Sequence, residues 1–464
     1  MDYQVDRIVA ETTLDMSQFE DVEVKGMVAL SVESNLNPCW YLTVGGSIFN
    51  NPAAAEGMVY FGAMDKSFYC VSEDGALVWR FPTNGLIASS PTLATIPDPA
   101  GRPLAAVLFG SYDGALYCLD AATGAERWRF QTQGEVYSQP CVAEGTVYFG
   151  SKDRHVYALD AATGAERWRF AANGAICSSP RTFAPALAAD AAEAAPGAVL
   201  CFGADSDAFY CLDSSGAVRW KFDGHSDRYL KPASDGRLVF FGSMDGNVYA
   251  LDLATGGLAW RYPTGSGIAT DVVLATVNGQ ELLYAGSRDH CFYALRPDGS
   301  LLWRFETPDV IGHGSTVAAV AAPDGARADA VYFGGCDNNL YAVDAATGAF
   351  LWKARTGGMV VSCPAVTEKG VYFGSWDCNL YSVAPASGAV RWKFPTGLST
   401  QARIEYPPQL LQKARIVWRP AAGRQESEKY KESGSLSDGR ASVYTPVSTY
   451  TTGARYAVKG RYAG

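Results

Sequence analysis

The stretch VYFGSKDRHVYALDAATGAERWRF, at Val147–Phe170, nearly repeats an earlier one at Val107–Phe130, which reads VLFGSYDGALYCLDAATGAERWRF. In each copy, short runs with alternating apolar residues predict β-strands, and ERWRF predicts one more. Between them DAATGAE suits a tight turn, because Asp160 can accept hydrogen bonds from nearby backbone amides and Gly164 can take a positive φ. The stretch therefore predicts an antiparallel unit that the chain uses more than once.

Eight copies of this unit follow one another along the 464 residues. Each contains a strand that ends in glycine and a later strand that contains tryptophan. Counted from Trp40, which precedes the first whole unit, successive tryptophans of the pattern are 39 to 52 residues apart. This period is typical of the four-stranded blade of a β-propeller. We therefore predict an all-β fold, an eight-bladed β-propeller of four-stranded antiparallel blades. The tryptophans expected to pack between blades are Trp79, Trp128, Trp168, Trp220, Trp260, Trp303, Trp352 and Trp392.

Most units open with a segment of the form xIxSSP, such as AICSSP at Ala175–Pro180. We predict that this segment is the innermost strand of its blade and lines the central channel. Because Trp40 precedes the first unit and Trp392 completes the eighth, one strand is redundant. We expect a strand from one end of the chain to complete a blade supplied by the other end, and either terminus can supply it.

The regions outside the repeats differ from the repeats in charge. We predict an N-terminal segment at 1–36, the propeller at 37–403 and a basic, flexible extension at 404–464. From Gln401 onward 11 Lys and Arg outnumber 5 Asp and Glu, whereas the whole chain carries −10, so the body carries about −16. An acidic body argues against binding to nucleic acid or to a membrane surface. Without an export signal or a long apolar run, we expect a soluble, cytoplasmic monomer.

The cysteines and the turn aspartates have structural explanations. Cys70, Cys118 and Cys211 occupy a strand position where other units have Ala or Ser, so we expect buried, reduced thiols. The sequence contains no CxxC pair of the kind that would indicate a zinc site. One turn aspartate recurs in seven units, which favours turn capping over calcium binding. These are Asp65, Asp113, Asp153, Asp245, Asp289, Asp337 and Asp377.

The motif GSxDGxxYALDAATGxxxW resembles the PQQ-like repeat of quinoprotein-type eight-bladed propellers, and the resemblance extends from Trp40 to Gly397. The resemblance implies the fold, but it leaves several functions open. The family includes PQQ-dependent dehydrogenases, an outer-membrane assembly scaffold, and propellers attached to adenylate-forming enzymes or kinases. The dehydrogenases are exported, carry a vicinal Cys-Cys pair and bind Ca²⁺ beside a catalytic Asp. This chain has no Cys-Cys pair, so we predict that it binds no cofactor. Only if it is such a dehydrogenase do we expect it to bind PQQ with Ca²⁺.

Three consecutive units depart from the SSP pattern. They read HSDRYLKP at His225–Pro232, GIATDVV at Gly267–Val273 and VIGHGST at Val310–Thr316. If these segments line the channel, a cluster of cations, carboxylate and imidazole can bind a small anion or an acidic peptide. Alternatively, Lys231 and Asp271 pair across adjacent blades and close the channel. The candidate ligand-binding residues are Arg228, Lys231, Asp271 and His313.

The sequence favours a non-catalytic platform for protein partners, a scaffold comparable to WD40 propellers, with a small anionic ligand at the channel as an addition. One alternative is a PQQ-dependent oxidoreductase. The other is an accessory or sensor propeller that acts with an adenylate-forming enzyme. We identify no catalytic residue and no metal ligand in the sequence.

Overall fold

The regular structure of the chain consists of β-strands alone in the part that the computed structural model describes. Among these residues no helix is long and apolar enough to span a lipid bilayer. The described residues are 46–97, 101–185, 197–206, 208–224, 230–321 and 327–396, with short segments at 443–444, 447–449, 455–457 and 460–461.

Eight sheets of four antiparallel strands follow one another, and we number them blades 1 to 8 in chain order. Within each blade the strands are consecutive in sequence, so the predicted fold class is confirmed. Blades 1 to 4 contain β1 Ala53–Ala55, β2 Met58–Ala63, β3 Ser67–Ser72, β4 Leu77–Pro82, β5 Thr92–Pro97, β6 Pro103–Gly110, β7 Ala115–Asp120, β8 Glu126–Gln131, β9 Cys141–Ala143, β10 Thr146–Gly150, β11 His155–Asp160, β12 Glu166–Ala171, β13 Arg181–Phe183, β14 Val199–Ala204, β15 Ala208–Leu212 and β16 Val218–Asp223. Blades 5 to 8 contain β17 Ala233–Ser234, β18 Leu238–Gly242, β19 Asn247–Asp252, β20 Leu258–Pro263, β21 Val273–Val277, β22 Gln280–Gly286, β23 Cys291–Leu295, β24 Leu301–Glu306, β25 Ile311–Ala321, β26 Arg327–Gly335, β27 Asn339–Asp344, β28 Phe350–Arg355, β29 Ala365–Val366, β30 Val371–Gly374, β31 Asn379–Val383 and β32 Val390–Pro395.

The ring closes between blades 8 and 1 by side-chain contacts. Trp392 Nε1 donates to Glu73 O at 2.9 Å, and the innermost strand β1 adjoins both β29 and β5. The expectation of a strand exchanged between the chain ends is wrong for the described residues, because all eight sheets are complete without one. Trp40, which prompted that expectation, lies outside the described part.

Each blade tryptophan makes the same two contacts with the next blade. Its indole N–H donates to a backbone carbonyl there at 2.8 to 3.1 Å. Its ring lies against a turn glycine, and a Cβ built on Gly164 would lie 2.7 Å from the Trp128 ring. Gly164 has φ 72°, a conformation that glycine adopts without strain. The Gly and Trp of DAATGxxxW therefore join neighbouring blades.

The xIxSSP segments lie at the channel as predicted, but they are not strands. In AICSSP the innermost strand β13 begins only after Pro180. The first serine replaces a ladder bond: in blade 3, Ser138 Oγ donates to Gly150 O and accepts from Gly150 N, both at 2.8 Å. A side chain thus pairs the backbone at the end of β10, which leaves the segment irregular.

The turn aspartates cap turns, as predicted. Asp153 accepts hydrogen bonds from His155 N at 3.0 Å and Tyr157 Oη at 2.7 Å. It also accepts from Gln133 N of the preceding blade at 3.1 Å. In the described part of the chain, no three His, Cys, Asp or Glu side chains are grouped so that they could hold a metal ion. Cys70, Cys118 and Cys211 are buried free thiols, as expected.

The chain divides into two units, one formed by Gly45–Ser399 and the other by Met1–Val44 with Thr400–Gly464. In the second unit β33 pairs with β36, and β34 pairs with β35, both antiparallel. The predicted boundaries at 36/37 and 403/404 lie outside the described residues and stay predictions. The strands are β33 Val443–Tyr444, β34 Val447–Thr449, β35 Arg455–Ala457 and β36 Gly460–Arg461.

Candidate ligand site in the central channel

Eight equivalent residues, one from each blade, surround the channel, and we call them the channel ring. Each stands two positions before the residue that begins or continues the innermost strand. Six of them line one cavity of about 60 Å³. The ring consists of Asn51, Ser90, Gln139, Ser179, Lys231, Asp271, Gly314 and Cys363.

Hydrogen bonds between neighbouring blades hold the channel ring together. Asn51 N donates to Ser90 Oγ at 3.0 Å, and Gln139 N donates to Ser179 Oγ at 3.0 Å. Across the closure of the propeller, Cys363 N donates to Asn51 Oδ1 at 2.6 Å. A short polar side chain at this position therefore links its blade to the preceding one, which explains the serines at two of these positions and the asparagine at a third.

Lys231 and Asp271 are the two charged members of the channel ring. The structure brings them together: Lys231 Nζ lies 4.0 Å from Asp271 Oδ2, the limit for an ion pair. Their side chains are 27% and 24% exposed, so each retains surface that faces the channel. The predicted pairing across adjacent blades is present at the limit of contact, and both residues line the cavity.

Arg181 and Gln139 also belong to this cluster, although neither was predicted from the sequence. Gln139 Oε1 accepts from Arg181 Nη2 at 2.6 Å and from Lys231 Nζ at 3.3 Å. One neutral oxygen therefore faces two cations. Arg181 begins β13, where the other blades have Ala, Thr, Cys or Val. A comparison of that position among the eight units would have identified it as the charged exception.

The local charges perturb two titrating groups. The pKa of Lys231 is lowered, first because the ammonium is withdrawn from water and then because Arg181 is near; Asp271 opposes both effects. Burial raises the pKa of the Cys363 thiol to about 11, against the opposing effects of a Thr316 hydrogen bond and Lys231. Cys363 is therefore a neutral thiol at pH 7.

Aromatic side chains flank the polar part of the cavity. Phe49 and Tyr137 line it beside Ser90 and Gln139. The Phe49 ring lies 4.7 Å from the ring of Trp376, centroid to centroid. The cavity thus combines a polar interior with an apolar border, the arrangement that suits a small polar group attached to an apolar one.

Two predicted site residues cannot be placed by their side chains. Arg228 and the side chain of His313 lie outside the described part of the chain, and their assignment stays a prediction. The cavity that the described residues line measures about 60 Å³, whereas pockets for drug-sized ligands measure about 300–1,000 Å³.

Comparison with known proteins supports the assignment of the fold. The family model described as "Outer membrane protein assembly factor BamB" matches residues 71–192 and 293–414, more than half of the chain. The beta-alanine-activating enzyme of Mus musculus is 36% identical over 93 residues, 20% of this chain and 8% of that enzyme. The serine/threonine-protein kinase AfsK of Streptomyces griseus is 31% identical over 105 residues, 22% of this chain and 13% of the kinase. The matches therefore span only a small part of these longer relatives.

Among solved structures, the crystal structure of the computationally designed Ika8 protein has a TM-score of 0.52 at 18% identity. The match covers 67% of this chain and 87% of that chain, and at this identity it concerns the fold alone. The eight repeats, the four-stranded blades and the family match lead to one conclusion: the chain belongs to the PQQ-like β-propeller family whose model is described as outer membrane protein assembly factor BamB.

Proposed function

We propose that the chain is a non-catalytic platform that binds protein partners along part of its outer rim. The observation that carries this proposal is a set of apolar residues at the first position of the outermost strand in six blades. They are 40% to 53% exposed, and they belong to blades 4 to 8 and blade 1, which are consecutive around the closed ring. We call them the rim arc: Leu77, Val218, Leu258, Leu301, Phe350 and Val390.

Blades 2 and 3 differ from the rim arc at the same position. They have Glu126 and Glu166, which form ion pairs with Arg129 at 3.5 Å and Arg169 at 3.6 Å. The exposed apolar residues therefore occupy six consecutive blades of the closed ring and are absent at this position from blades 2 and 3. Exposed apolar side chains that join into a larger patch mark interaction sites in soluble proteins, and we propose that the rim arc acts as one.

Side chains, rather than backbone pairing, are expected to make the contact. Every outermost strand has a register shift opposite its neighbour, as between Cys70 and Val71 in blade 1. A bulge on an edge strand disfavours pairing with a strand from another chain. Beside Leu258 a groove of about 480 Å³ opens between blades 5 and 6, bordered by Trp260, Arg237 and Asp298. Such a groove can receive an apolar anchor residue of a partner.

The comparisons support a partner-binding role in general terms. The matching family model is named for an assembly factor, and the curated relatives are long proteins of which the repeat is a small part. We keep the cytoplasm as the proposed location, because the ten described cysteines are all free thiols, as in reducing compartments.

Site-specific photo-crosslinking tests the platform. A benzophenone amino acid at Leu258 or Phe350 of the full chain, produced in its host cells, is expected to yield discrete protein adducts. The matched controls are the same substitution at Glu126 and Glu166, at the same position of the outermost strand in blades 2 and 3. Equal adduct patterns at all four positions, or none at any, would contradict a partner site on the rim arc.

A second part of the proposal concerns the channel. We propose that it binds a small anion, with Lys231 and Asp271 at the site and with Arg228 and His313 retained as candidates. The support is that Arg181 and Lys231 both donate to Oε1 of Gln139, a side chain that lines the cavity.

An alternative is an accessory propeller that acts with an activating enzyme, and the match to the beta-alanine-activating enzyme favours it. Co-purification with an adenylate-forming enzyme of the same organism, through rim-arc residues, is the expected result under that alternative. A PQQ-dependent oxidoreductase is the other alternative. Quinone absorbance and dye reduction after addition of PQQ and Ca²⁺ would overturn the non-catalytic proposal.

A further inference from the structure

We propose that Arg181 and Lys231 bind a carboxylate group in the channel cavity, and that Gln139 positions both cations for it. The carboxylate belongs to a small molecule or to the end of a peptide. This inference deepens the channel part of the proposed function and rests on it, because it names the binding residues and the chemical class of the ligand.

The charges of the described cluster do not balance. Arg181 and Lys231 supply two positive charges, and Asp271 is the one acidic residue of the channel ring. Asp271 lies 4.0 Å from Lys231 Nζ and is therefore a weak partner at the limit of contact. With Lys231 protonated, the described residues of the cluster carry an excess of one positive charge in a confined space, which a single carboxylate neutralises.

A hydrogen bond to blade 2 fixes the orientation of the Gln139 amide. Its Nε2 donates to Pro91 O of blade 2 at 3.0 Å, so its amide oxygen must face the opposite way. That oxygen meets Arg181 of blade 4 and Lys231, which leads into blade 5. One side chain from blade 3 thus fixes two cations from different blades before any ligand binds, which lowers the cost of ordering them on binding.

Arg181 has hydrogen-bond donors that no described residue uses. A guanidinium has five N–H donors, and it can bind a carboxylate through two parallel hydrogen bonds. Gln139 Oε1 is the one acceptor that the described residues offer to Arg181. Arg181 lies beside the cavity rather than in its lining, and it contacts Gln139, which lines it. We infer that its remaining donors reach a ligand next to Gln139. Arg181 stands where other blades have small residues, so its presence is particular to this channel.

The volume of the cavity limits the size of the group that it can hold. A cavity of about 60 Å³ holds roughly the volume of two water molecules in the liquid. A carboxylate group fits this space, while the remainder of the ligand extends past Phe49 and Tyr137. A planar monoanion also matches the excess charge and the planar guanidinium better than a phosphate dianion does.

Calorimetric titration of the full chain at low salt tests the proposal. The probes are propionate, β-alanine, inorganic phosphate, and one short peptide with either a free or an amidated C-terminus. We expect carboxylates to bind better than phosphate. Tighter binding of the free-acid peptide than of propionate identifies a peptide end as the ligand, and the reverse identifies a small molecule.

Variants assign the residues. Arg181→Met and Lys231→Met are each expected to weaken carboxylate binding about tenfold or more, as loss of a charge-assisted hydrogen bond implies. Arg181→Lys should restore part of the affinity, because it keeps the charge and loses the planar fork. Asp271→Asn should strengthen binding severalfold, since it removes the internal competitor. Arg169→Met, which changes an exposed rim arginine, is the matched control and should change nothing.

Each negative outcome has a separate meaning. If Arg181→Met binds carboxylate as the wild type does while Lys231→Met does not, the assignment of Arg181 is wrong and the channel anion site stands. If phosphate binds and carboxylates do not, the ligand class is wrong. If no probe binds the wild-type chain, both this inference and the channel part of the proposed function fail, and the rim platform is unaffected.

Discussion

The indole of Trp128 makes the inter-blade contact that recurs eight times around the ring. It is 8% exposed, its Nε1 donates to Ala161 O at 3.1 Å, and its ring lies against Gly164. The same three features explain why Trp, Gly and the DAATG turn are repeated so faithfully. These residues are needed to build the ring, so their repetition indicates nothing specific about its function.

Replacement of this side chain should be costly. Trp128→Ala is expected to lower the free energy of unfolding by about 3–5 kcal/mol, because it leaves a cavity between two blades. Trp128→Phe, the matched control, keeps an aromatic ring and should cost about 1–2 kcal/mol, mainly through the lost hydrogen bond. Urea unfolding measures both costs when it is followed by far-ultraviolet circular dichroism, a signal that does not depend on the replaced tryptophan. Equal costs for the two variants would contradict the packing account.

The turn aspartates make the stability of the chain depend on pH in the acid range. Burial acts to raise the pKa of Asp153, but hydrogen bonds from Tyr157 and two backbone amides outweigh it, and the pKa lies below its usual value. Its contribution is therefore complete above the unfolded-state pKa of about 3.9 and is lost as pH falls through the lower folded-state value.

Asp153→Asn should reduce that dependence. The variant is expected to be about 1 kcal/mol less stable at pH 7, because the charged acceptor is gone, and its stability should fall less steeply below pH 4. Thermal unfolding from pH 2 to 7 measures this, with Asp298→Asn, an exposed turn aspartate, as the comparison. A steeper acid dependence in Asp153→Asn than in the wild type would contradict the sign.

At the scale of elements, a glycine at or next to the end of the second strand permits a close approach in seven blades. A Cβ built on Gly150 would lie 2.3 Å from Ile176 Cγ2, which belongs to the segment that leads into blade 4. Ser138 then closes the hydrogen bonds of the same glycine. In blade 6 Thr270 has the same role and accepts from Gly286 N at 2.6 Å. A hydroxyl at this position therefore ends the strand ladder.

Ser138→Ala is expected to cost about 1–3 kcal/mol, because it leaves a buried N–H and C=O of Gly150 without partners. Ser138→Thr should be close to neutral, since blade 6 uses threonine there. Hydrogen exchange of the Gly150 amide provides a local readout and should accelerate in the alanine variant alone. Unchanged protection of Gly150 in Ser138→Ala would show that the hydroxyl is dispensable.

The sequence predicted the repeat well and the channel only in part. Eight copies of one pattern determine the strands, the turns and the blade tryptophans, because all of these depend on neighbours in the same or the next unit. The xIxSSP segment was predicted as a strand, since nothing in its residue pattern shows that a side chain takes over the ladder bond. Gln139 and Arg181 were missed because their contacts join three blades, and curvature of the ring brings them together.

At the scale of the whole molecule, the residues that build the ring differ from those to which we assign the proposed functions. The faithful repeats close the ring, whereas the channel ring and the rim arc differ from blade to blade. Lys231 and Asp271 replace serine in the channel, and glutamate replaces apolar residues on blades 2 and 3 of the rim. The proposed functions depend on these departures.

The measurement that tests the platform most directly is partner recovery by the double variant Phe350→Asp with Leu351→Asp. Both side chains are already half-exposed, at 53% and 47%, so the melting temperature should change by no more than about 2 °C. Glu126→Ala with Glu166→Ala, on blades 2 and 3, is the control. We predict that recovery of the crosslinked partner is lost in the first variant and retained in the second. Undiminished recovery with the first variant, or loss only in step with unfolding, would contradict the account.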